Sequence, residues 1–81
     1  MAYSIIMKYI KNKNIKESIK IRLINEIENS NIKKSEIAKQ IHVTPAVISD
    51  YIHKDKLPSL ETFALLCEVL GVSSDEILGL I

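Results

Sequence analysis

Residues 38–52, AKQIHVTPAVISDYI, carry an apolar rhythm of helical period that stops for His-Val-Thr-Pro and then resumes. Before the break Ile37, Ala38 and Ile41 fall on one face, and after it Val47, Ile48, Tyr51 and Ile52 do. Steps of three and four residues belong to helices, and two such stripes separated by so few residues require two short helices joined by a tight turn. Thr44 is placed to cap the second of them with its hydroxyl, and Pro45 falls at the first helical position, where its missing N–H costs nothing. Val43 can bury its side chain beneath the turn, and the small Ala38 lets another helix come close.

The same pattern organises the rest of the chain from residue 15 onward. Ile15, Ile19, Leu23 and Ile27 recur every four positions, with Ile24 adjoining, and this amphipathic helix should end near Glu28-Asn29-Ser30-Asn31, where Asn and Ser compete for backbone hydrogen bonds. In LPSLETFALLCEVLGV, Pro58 ends what precedes, Ser59 caps, and Leu60, Phe63, Leu66 and Leu70 make the next stripe, with Leu65 adjoining, until Gly71. Ser73 followed three residues later by Glu76 is the signature of a capping box before Ile77 and Leu78. Five helices result. The segment MAYSIIMKYIKNKN is more ambiguous: Tyr3, Ile6, Met7 and Ile10 fit helical spacing, whereas YSIIMKYI also suits an edge strand; the helical alternative is favoured, continuous with or kinked into the helix that starts near Ile15.

Eighty-one residues, 47% of them apolar, can bury one small core, and two Gly and two Pro in a chain rich in Ile, Lys, Glu and Leu favour helices joined by short turns. The expected fold is therefore all-α. One cysteine forms no internal disulfide, and His42 and His53 do not stand at paired ligand spacing, which leaves no structural zinc set. Cys67 is expected to be a small core residue, and the compartment to be reducing. No run approaches the ~20 apolar residues of a membrane span, and the first ten residues lack a secretory pattern. The net charge of +1 is unevenly spread: residues 1–32 hold six basic and three acidic side chains, residues 33–56 five and three, and residues 57–81 none and four. Sums of +3, +2 and −4 suit an anionic partner on the basic side.

On a helical wheel Pro45, Ala46, Ser49, Asp50 and His53 occupy the side of the second short helix that its apolar residues leave free. Two short helices joined by a turn of three or four residues, with the second offering a polar face, make a helix-turn-helix, whose second helix enters the major groove of DNA. Residues 32–80, IKKSEIAKQIHVTPAVISDYIHKDKLPSLETFALLCEVLGVSSDEILGL, resemble the Cro and lambda-repressor-like helix-turn-helix domains of bacterial and phage regulators. EIA followed by VTPAVISDYI, then the Pro-Ser-Leu-Glu-Thr hinge and the Leu-Gly-Val-Ser turn, carry the resemblance in register.

The resemblance implies a five-helix lambda-repressor-like domain over residues 15–81, preceded by an extension over residues 1–14. It also implies a transcriptional regulator, expected to be a repressor, that binds duplex DNA as a homodimer on a palindromic operator. Thr44 to His53 would be the recognition helix. Pro45, Ala46, Ser49 and Asp50 fall at the base-facing positions. Lys33, Lys34, Thr44, His53, Lys54 and Lys56 fall where the DNA backbone is touched, Lys34 standing where the family often has Gln. Neither cofactor, metal, membrane nor small-molecule ligand is expected, and the location is expected to be cytoplasmic.

The departures from the family pattern carry expectations of their own. His42 stands at a turn position usually held by Gly, so a left-handed backbone there would be strained, though less than for a β-branched residue. Lys33 stands where Ser or Thr usually caps the second helix, so that start can fray unless DNA or a neighbour satisfies its amides. Ile27 and Ile52 fall where many members pair an Arg with an acidic residue, and an apolar contact between them would replace that buried ion pair. The predicted face also lacks Arg, Gln and Asn, the strong readers of guanine and adenine. Asp50 can accept from cytosine, Ser49 can bond either partner, and Ala46 or Pro45 can meet a thymine methyl. Affinity is then expected to rest on lysine–phosphate contacts and DNA shape.

Other classes fit less well. No acid–base pair, nucleophile elbow, phosphate-cradling glycine loop or metal set points to an enzyme. A protein-interaction module, antitoxin-like or adaptor, is the closer rival, separated from the DNA-binding reading by the positive field of Lys33, Lys34, Lys54 and Lys56 against Asp50 and Asp55. The terminal ILGLI either packs on the fourth helix or forms part of a dimer interface.

Overall fold

The computed structural model describes residues 14–81. Five helices and no strand occur among the described residues: α1 (Ile15–Asn29), α2 (Lys34–Gln40), α3 (Pro45–His53), α4 (Leu60–Leu70) and α5 (Ser74–Leu78). The all-α, lambda-repressor-like class is the one the sequence implies. The alternatives for the amino-terminal extension concern residues that lie, but for Asn14, outside the described ones.

Each helix contributes one stripe to a common core. Leu23 and Ile27 come from α1, Ile37 and Ala38 from α2 with Ile41 just beyond it, Ile48 and Tyr51 from α3, Leu66 and Cys67 from α4, and Ile77 from α5. Val43, Val47 and Ile52 pack against this cluster. Ala38 is fully buried, and having no side chain beyond Cβ it permits the close approach of α2 to its neighbours. Ile27 belongs to the core and Ile52 packs against that core, so apolar side chains fill the two positions where the resemblance implies an ion pair in many members.

Three expected stripe residues lie outside the core, the half-buried Ile24 among them. Ile15 is 49% exposed and Leu60 87% exposed. Both open their helices, and because side chains tilt toward the helix N-terminus, an apolar residue in the first turn projects past the core rather than into it. The capping expectations divide in the same local way. Ser59 Oγ accepts the Thr62 N–H at 3.2 Å and Ser73 Oγ accepts the Glu76 N–H at 3.1 Å, but the Glu76 carboxylate makes no return bond to the Ser73 N–H, so the expected capping box is only half formed. Thr44 occupies the cap position of α3 without a side-chain cap bond. Its own carbonyl accepts the Val47 N–H at 3.0 Å, and Pro45 has no N–H to offer; nothing else in the structure explains why the hydroxyl makes no cap bond.

One device ends three of the helices. After α2 the Val43 N–H donates to Ala38 O at 2.9 Å and the His42 N–H to Lys39 O at 3.3 Å; after α4 the Val72 N–H donates to Cys67 O at 3.1 Å and the Gly71 N–H to Glu68 O at 3.3 Å; after α5 the Leu80 N–H donates to Asp75 O at 2.9 Å. These bonds return the chain over the last turn through one left-handed residue. Gly71 (φ 70°) and Gly79 (φ 78°) supply it without a Cβ, whereas His42 adopts φ 63° as an L residue. The strain expected at His42 is thus present, and it produces the turn that aims α3 away from α2.

Candidate nucleic-acid interface

The geometry of α3 separates its two faces cleanly. Ile48 and Tyr51 are buried and Val47 and Ile52 half-buried, while Pro45, Ala46, Ser49 and His53 are exposed and Asp50 half-buried on the opposite side. Thr44, Lys54 and Lys56 are exposed at the two ends of the helix, and Lys33 and Lys34 are exposed at the start of α2. The outward side of α3 offers small side chains and two oxygen-bearing ones, so another molecule can approach its backbone closely.

Charge around this face is partly paired. Asp50 lies between two ammoniums, with Lys54 Nζ 3.4 Å from Oδ1 and Lys56 Nζ 3.9 Å from Oδ2. Lys34 Nζ stands 2.7 Å from Glu28 Oε1. The Lys34–Glu28 pair is exposed on both sides and is worth about 0–1 kcal/mol, so a phosphate oxygen can replace Glu28 at little cost, whereas Asp50 is half-buried beneath its exposed lysines. Lys33 makes no ion pair among the described residues. Its position at the α2 cap carries no side-chain cap bond, which leaves the first amides of α2 to solvent or to an anion. The Thr44 hydroxyl, released from capping, faces the same choice.

Two residues outside the predicted set hold the face in place. Lys20 Nζ on α1 donates to Tyr51 O at 2.5 Å and to Lys56 O at 2.9 Å, and beside it Lys16 Nζ lies 3.0 Å from Asp55 Oδ1. Burial draws the Lys20 ammonium below its ordinary pKa, with Asp55 acting against that and Lys16 with it. Arg22 Nε donates to Ile77 O at 2.7 Å and ties α1 to α5. The spacing of Lys16 and Lys20 shows that they share an edge of α1. Nothing local shows that this edge meets the carboxyl end of α3.

Tyr51 and Cys67 are pushed up from their ordinary pKa values by burial, which suits a packing role for both and keeps the Cys67 thiol protonated. No group of His, Cys, Asp and Glu that could hold a metal ion occurs among the described residues, and no described helix is long and apolar enough to cross a membrane. Among known protein families, that of the helix-turn-helix matches residues 21–77. No curated protein and no solved structure matches the chain.

Proposed function

The chain belongs to the helix-turn-helix family of the Cro and lambda-repressor type, a family of DNA-binding regulators, and from that premise we propose that it is a sequence-specific repressor acting as a homodimer on a palindromic operator. Residues 15–81 form the DNA-binding unit and residues 1–14 an extension to it. The outward face of α3 enters the major groove, with Pro45, Ala46, Ser49 and Asp50 toward base edges. Lys33, Lys34, Thr44, His53, Lys54 and Lys56 meet the phosphates on either side. The protein works without cofactor or small-molecule ligand, in the cytoplasm of a bacterium or of a phage-infected cell.

The observation that carries this reading is the composition of the exposed α3 face together with its flanks. Small and polar side chains line the helix, and exposed lysines stand at the α2 start and beyond the α3 end. A face made for a protein partner would be expected to present aromatic or aliphatic anchors at its centre, and this one presents Ala46 and Ser49.

Selection of bound sequences from a random duplex library, followed by salt titration on the enriched sequence, tests the proposal. An enriched palindrome whose affinity falls steeply with salt supports it. No enrichment, and no binding at low salt, would assign the fold to protein interaction instead.

A further inference from the structure

The last turn of a helix leaves carbonyls without partners inside the helix. At the end of α3 the Asp50 carbonyl accepts the Lys54 N–H at 2.9 Å. The next carbonyl, that of Tyr51, is served from a different helix, since Lys20 Nζ donates to it at 2.5 Å. The same ammonium donates to Lys56 O at 2.9 Å. Within the loop the Lys56 N–H bonds Lys54 O at 2.8 Å, and one turn earlier on α1 Lys16 pairs with Asp55 at 3.0 Å. Helix α1 therefore grips the recognition helix at residue 51 and the following loop at residues 55 and 56. A cation at the carboxyl end of α3 also meets the negative end of its dipole, and a charged donor makes the stronger kind of hydrogen bond to a carbonyl.

We infer that Lys20 is a positioning residue for the DNA-facing surface: by joining Tyr51 O to Lys56 O it fixes the loop that carries Lys54 and Lys56 relative to the outward face of α3. The functional half of this inference rests on the proposed DNA binding; the mechanical half does not. Lys20 lies on the α1 side of α3, lining a groove with Ile24 and Ile52, so its effect on DNA passes through the loop. Spacing between the base-facing side chains and the phosphate-facing lysines is what the tie holds constant, and a fixed spacing favours one sequence-dependent groove geometry over others.

Three variants of the full chain test this: K20M removes the donor, K20R keeps a cation able to serve two carbonyls, and K39M removes the same charge from an exposed site on α2 that does not touch the loop. K20M should bind the operator about tenfold more weakly, the scale of one charge-assisted hydrogen bond, while its loss on non-operator duplex does not exceed that of K39M. In the protein without DNA, backbone order parameters over residues 54–56 should fall in K20M from about 0.85 toward 0.6 or less, and K20R should restore both readouts. A merely structural role would lower both affinities by the same unfolded fraction and leave their ratio unchanged. That result, unchanged order over residues 54–56, or failure of K20R to restore either readout would overturn the inference. If K20M does not fold, K20Q takes its place. If the wild-type chain binds no duplex, the DNA reading fails, and the order parameters alone still decide whether Lys20 positions the loop.

Discussion

Asp50 is the one acidic side chain on the outward face of α3, and replacing it with Asn separates two contributions that the structure superimposes. Its side chain is 28% exposed, and its carboxylate holds Lys54 at 3.4 Å and Lys56 at 3.9 Å. Asp50→Asn raises the net charge from +1 by one unit and releases both ammoniums for phosphates. An i,i+4 pair such as Lys54–Asp50 is worth about 0.3–0.5 kcal/mol and the 3.9 Å Lys56 pair no more, about 1 kcal/mol together, so the melting temperature should fall by no more than about 4–8 °C. The gain on DNA is larger in kind: one further phosphate neutralised steepens the salt dependence by about 0.9 in log–log slope, about a 3.5-fold greater loss of affinity between 50 and 200 mM salt. Base preference should shift at one operator position, because Asp accepts from cytosine whereas Asn bonds adenine. Fluorescence anisotropy at several salt concentrations, on operator and on unrelated duplex, reads both effects. Unchanged slope and unchanged affinity on unrelated duplex would show that Asp50 does not restrain the lysines, and the electrostatic account of this face would be wrong.

Three further outcomes follow from the packing. His42→Gly removes a Cβ from a left-handed residue, a gain of about 1–2 kcal/mol set against about 0.5–1 kcal/mol of glycine flexibility; net stabilisation of about 0.5 kcal/mol should raise the melting temperature by about 2–4 °C, and a decrease would mean that His42 makes a stabilising contact. Gly79→Ala at φ 78° places a Cβ against the Arg22 guanidinium, which the Arg22 Nε bond to Ile77 O holds in place, so it should destabilise by more than the backbone strain of about 1–2 kcal/mol, and the excess should vanish in an Arg22→Ala background, as a double-mutant cycle by denaturant titration would show. Tyr51 has its pKa raised by burial above the ordinary 10.0, so the unfolded chain loses this proton first. Its contribution is fully present below pH 10 and is lost as pH rises from there toward the folded-state value. Tyr51→Phe should remove part of the alkaline loss in urea titrations, and an identical profile would refute the assignment.

The sequence made the local signals of this fold legible and left the tertiary ones hidden. Pro45, Ser59, Ser73, Gly71 and the two faces of α3 act within a turn or two of their own position, where capping and periodicity rules apply. The positive φ of His42 was legible only through the family resemblance, which places Gly at that turn position. The roles of Lys20 and Arg22 depend on which helix end lies across from α1, a matter of packing between residues 31 to 55 positions apart. Thr44 shows the converse limit. Its residue type predicts a cap bond, yet the hydroxyl makes none, which leaves it for another partner. Ile15 and Leu60 matched their stripes in sequence and missed the core, because a stripe states which side a residue faces and not how far along the axis the core extends.

A recognition face without Arg, Gln or Asn places a particular demand on its scaffold. Bidentate readers discriminate among bases by about 1–3 kcal/mol each; Ala46, Ser49 and a carboxylate already paired with two lysines offer less. In the proposed complex the remaining discrimination comes from the cost of shaping the DNA to fit a given set of phosphate contacts. That cost differs between sequences only if the protein does not adjust instead. A loop free to move would let Lys54 and Lys56 follow any groove, and the charge would then bind every sequence nearly alike. The Lys20 bonds to Tyr51 O and Lys56 O act against this freedom, and the exposed Lys16–Asp55 pair at 3.0 Å adds at most about 1 kcal/mol. In the proposed complex the weakness of the reading side chains and the anchorage of the loop by Lys20 therefore belong together: where base edges are read poorly, the rigidity of the phosphate-contacting frame sets how much sequence is distinguished.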